Sequence, residues 1–393
     1  MRRNFVKAPE AAGLNREALA RLSSALGSLI ERGRLPGAQW TIHRRGVVGC
    51  FESLGAQDPA SGVAMRADSI FRIYSMTKPI VSVALMMLAE QGRVLLRDPV
   101  AKYLPEFVRA RVGVEREGAL ELKVPRRPMT IHDLLRHTAG LTYEFHEASA
   151  VRLRYVEAKV SARERSSAEH CATLAKLPLM HEPGTVWDYS RATDVLGRVV
   201  EVISGQSLGA HLRYAIFDPL GMVDTGFAVP AEQHGRIAEP FAINPDTGVP
   251  VSSFDARVPA AMEGGGGGLL STSADYARFL KMLLNGGKLD GVRLLGRKTV
   301  EFMTADHLGA LPRSGDVLPP GHGFGLGFAV KTHLGLHTEP GSIGTYGWSG
   351  AAGTAFFVDR QEALFALIMV QAPGQLDEVR ELFRQLVYAA IDD

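Results

Sequence analysis

Apolar residues near the start of the chain follow first a helical period and then a strand pattern. Between residues 15 and 32, one helical face carries the large apolar side chains Leu19, Leu22, Leu26, Leu29 and Ile30. The next stretch, GAQWTIHRRGVVGCFESLG, contains two β-rich runs on either side of a polar turn near Arg44, Arg45 and Gly46. These patterns predict a helix that packs on a sheet and, directly after it, a β-hairpin.

The end of the chain mirrors this arrangement. The segment GTAFFVDRQEALFALIMVQ contains two apolar runs around residues 359–362, and it predicts a second hairpin. The closing segment DEVRELFRQLVYAAID has helical spacing, with an apolar face of Val379, Leu382, Phe383, Leu386 and Val387. Residues 80–225 instead carry several helical patterns and little strand signal. We therefore expect an α/β fold of the α+β type, with an antiparallel sheet flanked by terminal helices plus a mostly helical second lobe.

The same patterns divide the chain into two predicted lobes. Residues 1–95 and 262–393 form a discontinuous sheet lobe, and residues 96–261 form the helical lobe. Ligand sites are common where two lobes meet, so we expect the active site in the cleft between them. The glycine run at 264–268 lacks the ending of a phosphate loop and predicts tight packing before a helix capped near Ser271 or Ser273. The alternating segment 321–330 predicts a strand near the cleft.

Composition restricts the classes of function. The 393 residues include 44 basic and 42 acidic side chains, giving a formal net charge of +2 without long blocks of one sign. This balance argues against a nucleic-acid partner and favours a small molecule. Near its start the chain has two adjacent arginines but no apolar run behind them that could serve as a signal-peptide core, and no later segment reaches the length of a membrane span, so we expect a soluble, cytoplasmic protein without a membrane partner. The sequence carries no indication of the oligomeric state.

Cysteine and histidine positions do not suggest a metal centre. The two cysteines, Cys50 and Cys171, are far apart and in no metal-like spacing, and Cys50 reads as a packed strand thiol. His132 and His137 are five residues apart on a predicted helix, which turns them away from each other. We therefore expect neither a metal nor an organic cofactor.

A candidate nucleophile lies in FRIYSMTKPIVSVALMMLAEQG, residues 71–92. Ser75 and Lys78 are three residues apart, so a helix places them on one face. Ser75 precedes a helix-compatible run, and the free N–H groups and dipole at a helix N-terminus favour a developing negative charge. Burial beside the serine should shift Lys78 toward its neutral amine, which could take the hydroxyl proton. The alternative is that Ser75 caps the helix and Lys78 lies on the surface.

A second serine competes with Ser75. Residues 205–209 match the G-x-S-x-G pattern of a nucleophile elbow, which needs a strand before the serine. The preceding apolar residues follow helical spacing instead, and Gly205 is a natural helix stop. Ser207 is therefore predicted to cap the next helix.

Four segments together resemble the serine β-lactamase and penicillin-binding-protein superfamily. In chain order they are SMTKP, TIHDLLRHTAGLTYE (130–144), EPGTVWDYSRATDVLGRVVE (182–201) and YGWSGAAGTAFFVD (346–359). The likeness covers nearly the whole chain. It is closest to class C β-lactamases and to family VIII carboxylesterases, which share one fold.

The resemblance implies a role for each matched residue. Ser75 corresponds to the acylated nucleophile, Lys78 to its lysine partner and Tyr189 to the tyrosine that shuttles protons. The backbone N–H groups of Ser75 and Ala351 correspond to the oxyanion hole. The substrate-binding positions implied by the likeness are Trp348, Ser349, Gly350 and Arg191.

Two departures from the lactamase pattern favour an esterase. Arg191 stands where class C enzymes have the asparagine of Tyr-x-Asn, and Trp348 replaces the lysine of Lys-Thr-Gly. The resemblance therefore implies a carboxylesterase that cleaves small, short-acyl esters through a Ser75 acyl-enzyme. The alternatives are a β-lactamase or D-amino-acid peptidase of the same fold, an acyltransferase, or a non-catalytic ligand-binding protein. Arg191 itself could bind an acidic substrate group or pair with a nearby carboxylate.

Overall fold

One eight-stranded antiparallel sheet organises the fold of this computed structural model, which describes residues 6–374 and 377–393. In spatial order its strands are β12 (His322–Phe324), β13 (Ala329–Lys331), β14 (Tyr346–Ser349), β15 (Ala355–Asp359), β16 (Leu364–Val370), β1 (Gly37–Arg44), β2 (Val47–Asp58) and β3 (Val63–Ala64). The two predicted hairpins are therefore present. They meet in the middle of the sheet, where β1 pairs with β16.

Four small strand pairs, eleven α-helices and several short 3-10 or π-helical turns complete the described part of the chain. The pairs are β4 (Phe71–Arg72) with β8 (Leu270–Ser271), β5 (Val112–Arg116) with β6 (Ala119–Lys123), β7 (Trp187–Asp188) with β11 (Arg313–Ser314), and β9 (Lys288–Leu289) with β10 (Val292–Arg293). The helices are α1 (Arg16–Glu31), α2 (Thr77–Glu90), α3 (Ile131–Leu135), α4 (Ala150–Glu157), α5 (Ser167–Leu174), α6 (Ala192–Ser204), α7 (Leu208–Leu212), α8 (Asp218–Leu220), α9 (Ser273–Leu284), α10 (Arg297–Met303) and α11 (Asp377–Ala389).

The central strand β16 shows how the sheet separates two cores. All seven of its residues are buried. Leu364, Ala366, Ile368 and Val370 face a core shared with α1 and α11. The alternate residues Phe365, Leu367 and Met369 face the larger core that contains α2, α6 and α9. Side chains alternate across a strand, so a strand buried on both faces is apolar throughout. The α+β sheet with terminal helices, expected from the periodicity, is confirmed.

Three local details differ from the sequence-based expectations. The helical region contains the hairpin β5–β6, whose side chains are mostly partly or fully exposed and therefore leave a weak apolar pattern. Segment 321–330 forms two paired strands instead of one, because the chain turns between them at Gly327, where φ is +96°. Helix α9 is capped by Thr272, whose hydroxyl accepts from the Asp275 N–H, and not by either predicted serine. The division into lobes at residues 95 and 262 stays a prediction.

Among the described residues, no helix combines the length and the apolar character needed to cross a membrane.

Candidate active site

Ser75 lies in a tight turn that connects a short strand to a long buried helix. The turn is a 3-10 helix, Tyr74–Met76, between β4 and α2. Tyr74 has φ of +41°, a left-handed conformation that is uncommon for a residue with a side chain. Helix α2 begins after Met76 and has no side-chain cap. The alternative in which Ser75 caps this helix is therefore wrong, and its hydroxyl lines an open cleft.

Lys78 is buried beside this hydroxyl. Lys78 is only 1% exposed to solvent, so the alternative in which it lies on the surface is also wrong. Nζ donates to Ser75 Oγ at 3.2 Å, to the Tyr143 hydroxyl at 3.0 Å and to the Gly266 carbonyl at 2.6 Å. It also lies 4.6 Å from the centre of the Tyr189 ring. The serine, lysine and tyrosine proposed from the sequence thus converge on one place.

Electrostatics favour the charged form of Lys78. Burial by itself would lower the pKa of the amine, but the interactions with Tyr143 and then Tyr189 outweigh it, so the pKa is raised. Burial also raises the pKa of the Tyr143 phenol to about 12, although Lys78 pulls in the opposite direction. The expected shift of Lys78 toward a neutral amine is therefore wrong in direction. Its phenol neighbours, and not burial, decide the net effect.

Tyr189 is held by aromatic packing and by a polar anchor next to it in the chain. The preceding residue, Asp188, is buried and accepts from His181 Nε2 at 3.1 Å and from Arg152 at 3.2 Å. The Tyr189 ring lies 5.0 Å from the His137 ring and 5.2 Å from the Trp348 ring, measured between centroids. Trp348 Nε1 donates to the Tyr189 hydroxyl at 3.3 Å. Trp348 therefore contacts the Tyr189 hydroxyl and also lines the cleft.

The segment 346–359, the last of the four that resemble the family, also lines the cleft. Trp348 and Ser349 end strand β14, and Gly350 and Ala351 follow in the turn. A Cβ at Gly350 would lie 2.5 Å from the Ile73 carbonyl oxygen, so only glycine allows this close approach to the Ser75 turn. The Ala351 N–H has no hydrogen-bond partner within residues 6–374 and 377–393. The Ser75 N–H lies in the first turn of a helix, where N–H groups lack intrahelical acceptors.

The glycine run forms part of the cleft wall. Gly266 accepts from Lys78 through its carbonyl and donates through its N–H to Asp194 Oδ1 at 2.7 Å. A Cβ at Gly266 would lie 2.7 Å from the other Asp194 oxygen, so the predicted tight packing is present. Sequence reasoning did not assign this carbonyl, or the Tyr143 hydroxyl, to the site. The tyrosine lies inside a segment that carried the family resemblance, and that was its one available signal.

Arg191 is already paired with carboxylates. Its guanidinium forms an ion pair with Glu144 and lies 3.6 Å from an Asp194 oxygen. Burial would lower the pKa of Arg191, but Asp194, Tyr143 and Glu144 raise it. Of the two alternatives left open by the sequence, the structure shows local pairing. The residue still lines the cleft.

The other candidate residues from the sequence, a serine, two histidines and a cysteine, have structural roles. Ser207 caps α7 by accepting from the Ala210 N–H at 3.2 Å, and it follows helix α6 instead of a strand. His132 contacts His307, whereas His137 contacts Ser190. Burial raises the pKa of the Cys50 thiol to about 12, which disfavours a nucleophilic thiolate.

The cleft has a volume of about 360 Å³. Its wall includes Ser75, Tyr143, Tyr189, Trp348, Ala351 and Arg163. All four predicted motifs thus contribute residues to the cleft wall. A cavity of this size accommodates a small organic molecule.

Comparisons with known proteins agree with this geometry. The family model described as Beta-lactamase matches residues 19–390. The chain is 33% identical to esterase EstB of Burkholderia gladioli over 97% of this chain and 98% of the esterase. It is 29% identical to a lovastatin esterase of Penicillium rubens over 82% and 85% of the two chains. The solved structure of EstCE1, a hydrolase with promiscuous acyltransferase activity, superimposes with a TM-score of 0.81 at 26% identity, covering 96% of this chain and 99% of EstCE1.

Proposed function

The chain belongs to the β-lactamase family, and on this basis we propose that it is a family VIII carboxylesterase that cleaves small, short-acyl esters through an acyl-enzyme on Ser75. The observation that carries the proposal is the contact of Lys78 Nζ with Ser75 Oγ, next to two tyrosines in an open cleft. The two esterase relatives support the same activity. The reaction needs no metal or organic cofactor.

The first half of the reaction forms the acyl-enzyme. Tyr189 acts as a phenolate that the positive charge of Lys78 stabilises. Ser75 Oγ attacks the ester carbonyl carbon while its proton passes to this phenolate, which becomes the neutral phenol. The tetrahedral oxyanion accepts hydrogen bonds from the N–H groups of Ser75 and Ala351. Each such donor typically contributes about 3 kcal/mol to transition-state stabilisation. The C–O bond to the alcohol then breaks, and Tyr189 returns the proton to the leaving oxygen.

The second half releases the acid. Water attacks the acyl carbon and passes a proton to Tyr189, and the same two N–H groups hold the second oxyanion. The bond between Ser75 Oγ and the acyl carbon breaks, and the proton from Tyr189 restores the serine hydroxyl. Lys78 keeps its proton throughout. Trp348, Ser349, Gly350 and Arg191 shape the space around the substrate.

Two activities known in related proteins, amide hydrolysis and acyl transfer, have to be separated from ester hydrolysis by experiment. A β-lactamase or peptidase uses the same serine but prefers an amide, and Trp348 in place of a lysine disfavours a lactam. Acyl transfer has a specific argument in its favour, since EstCE1 is described as having it. In that case an added alcohol would compete with water for the acyl-enzyme. The product ratio at increasing alcohol concentration measures this partition.

The decisive experiment is intact-protein mass spectrometry after brief exposure to short p-nitrophenyl esters and to nitrocefin. We expect an acyl adduct and turnover with the esters and much slower turnover of nitrocefin. Ser75→Ala should remove the adduct and lower kcat by at least about 1,000-fold. The matched control, Ser207→Ala, should retain both. An adduct that persists in Ser75→Ala and disappears in Ser207→Ala would overturn the proposal.

Two further expectations belong to this proposal. The two lobes, residues 1–95 with 262–393 and residues 96–261, would each contribute one wall of the cleft. Ser75 and Trp348 from the first lobe and Tyr143 and Tyr189 from the second all line the cleft, which supports this division. The protein would act in the cytoplasm, which cell fractionation with an activity assay tests.

A further inference from the structure

Cationic side chains outnumber acidic ones in the wall of the cleft. Three arginines line it, Arg163, Arg191 and Arg380, whereas Asp194 is the one acidic residue among the lining residues that the structure describes. Arg191 is already paired with carboxylates, and Arg380 donates to the Gly350 carbonyl at 2.6 Å. Arg163 differs from both. Across residues 6–374 and 377–393, no side chain or carbonyl forms a hydrogen bond or ion pair with its guanidinium.

The Arg163 guanidinium is supported by an aromatic ring close to the nucleophile. Its central carbon lies 3.9 Å from the centre of the Phe254 ring. The Phe254 ring in turn packs edge-on against Tyr74, with 5.4 Å between ring centroids. Tyr74 directly precedes Ser75 in the strained turn. An arginine that stacks on a ring loses less side-chain freedom when it binds an anion.

A second arginine near Phe254 has its charge balanced within the protein. Arg72 lies 5.6 Å from the centre of the same ring. It is buried, forms an ion pair with Glu239 at 2.9 Å and donates to two carbonyl groups. The two guanidinium groups therefore share one aromatic support, and Arg72 has its counter-ion within the protein.

A partly buried cation without a counter-ion is unfavourable in the free protein. Burial lowers the pKa of Arg163, and the charge of Arg72 adds to this, although Tyr74 and Asp194 oppose it. A guanidinium presents several N–H donors in a planar fork that matches a carboxylate. A bound carboxylate would therefore restore the interactions that Arg163 lacks.

We propose that Arg163 binds a carboxylate of the substrate, so that the preferred esters carry a free carboxylate in addition to the ester group. This inference rests on the proposed esterase function, and it names the substrate class for the same cleft. Arg191 already has carboxylate partners within the protein, so the proposal assigns recognition of an acidic substrate group to Arg163 instead.

Matched pairs of esters test the proposal for either half of the substrate. Mono-p-nitrophenyl glutarate and its methyl ester differ in a carboxylate on the acyl side, and 4-acetoxybenzoate and its methyl ester differ in one on the alcohol side. The measured quantity is the ratio of kcat/KM for the charged ester to kcat/KM for the neutral ester. For at least one pair, Arg163→Gln should lower this ratio by about tenfold, because the variant loses a charge-assisted hydrogen bond to the carboxylate. A fall of less than fivefold for both pairs overturns the proposal.

Two variants separate recognition from general electrostatics. Arg163→Lys keeps the charge but loses the planar fork, so its ratio should lie between those of the wild type and Arg163→Gln. Arg109→Gln removes one positive charge from an exposed position outside the cleft and should leave the ratio unchanged. A fall in Arg109→Gln equal to that in Arg163→Gln contradicts a specific site. If Arg163→Gln does not fold, the wild-type ratio should still fall with added salt, and a salt-independent ratio overturns the proposal.

Binding without turnover distinguishes failure of this inference from failure of the esterase proposal. Calorimetry on Ser75→Ala with mono-p-nitrophenyl glutarate should show tighter binding than with its methyl ester, or the same preference should hold for the 4-acetoxybenzoate pair. The double variant Ser75→Ala/Arg163→Gln should lose that preference. If the wild type hydrolyses none of the esters but this preference is seen, the esterase proposal fails and the carboxylate site stands. If the wild type hydrolyses esters and neither pair shows the preference, the carboxylate site fails alone.

Discussion

The Lys78 ammonium has three N–H donors, and three acceptors surround it. The three acceptors are Ser75 Oγ, the Tyr143 hydroxyl and the Gly266 carbonyl, at 2.6–3.2 Å from Nζ. An ammonium satisfied in this way is a poor base but an effective source of positive charge. A tyrosine in its phenolate form beside that charge is the group that can accept the serine proton. Two phenols contact Lys78, so the assignment of Tyr189 as base is a testable choice.

Replacing each phenol separately tests this choice. Tyr189→Phe should lower kcat for a short ester by about 100- to 10,000-fold, the usual contribution of a general base. Tyr143→Phe removes one hydrogen bond to a charged group, typically worth about 1.5–3 kcal/mol, and should cost about 10- to 100-fold. Both variants keep the ring and its packing, so each controls for the other. If Tyr143→Phe has the larger effect, Tyr143 is the base. Steady-state kinetics across pH, with circular dichroism to verify folding, provide the measurement.

At the scale of elements, the cleft depends on two segments that approach closely at one point. The 3-10 turn Tyr74–Met76 carries Ser75, and the turn after β14 carries Gly350 and Ala351. The 3-10 turn is held in place by the Tyr276 hydroxyl, which donates to the Met76 carbonyl at 2.9 Å. The distance between these two segments sets the spacing of the two N–H groups that would bind the oxyanion. A side chain inserted between them should therefore affect catalysis first.

Gly350→Ala tests this close approach. The added Cβ would lie 2.5 Å from the Ile73 carbonyl oxygen and would also contact Thr354, so one segment has to move. We expect kcat/KM to fall by at least about tenfold and the free energy of unfolding to fall by roughly 1–3 kcal/mol. The control is Gly235→Ala, where a Cβ meets nothing within 4 Å. Equal activity of the two variants would show that the spacing is not critical. Ester hydrolysis and urea unfolding report the two effects.

At the scale of the whole molecule, burial keeps several histidines neutral. His43, His132 and His322 each have a pKa lowered from 6.5 to about 4, with burial as the largest cause. Nearby cations add to this effect, including Lys281 at His43 and Arg136 at His132. A lowered pKa in the folded state means that only the unfolded chain takes up these protons between about pH 6.5 and 4. Stability from these groups is complete above pH 6.5 and is lost as the pH falls toward 4.

One buried carboxyl acts in the opposite direction. Burial raises the pKa of Asp275 from 3.8 to about 6, so the folded state holds a proton that the unfolded chain releases. Its contribution is present below pH 3.8 and is lost as the pH rises through 6. Three histidines against one aspartate leave a net loss of stability on acidification from pH 6.5 to 4.

Urea unfolding at several pH values measures this slope. Each histidine should contribute up to about 1.4 kcal/mol per pH unit within its window. His43 stacks on Phe365 with ring centroids 4.7 Å apart, so His43→Leu removes a proton-binding group while keeping an apolar side chain there. We expect the slope of the free energy of unfolding against pH to decrease by about one proton in this variant. An unchanged slope would show that His43 does not contribute to acid sensitivity.

Several features of this protein were determined by its sequence alone, because they depend on local periodicity. The spacing of apolar residues predicted α1, both terminal hairpins and α11, and each is present. The pairing of Ser75 with Lys78 also follows from helix geometry, since residues three apart share a face. The family resemblance extended this to Tyr189 and Trp348, which do meet.

Only the tertiary structure decided what surrounds Lys78 and which arginine is unpaired. Tyr143 and Gly266 reach Lys78 from 65 and 188 residues away, and such contacts leave no periodic pattern in the chain. The same contacts raise the pKa of Lys78 against the effect of burial. Arg191 finds Glu144 across the fold, whereas Arg163 finds an aromatic ring. Protonation and charge balance depend on groups that folding brings together. For that reason the sequence predicted the reacting residues but not the charges and hydrogen bonds around them.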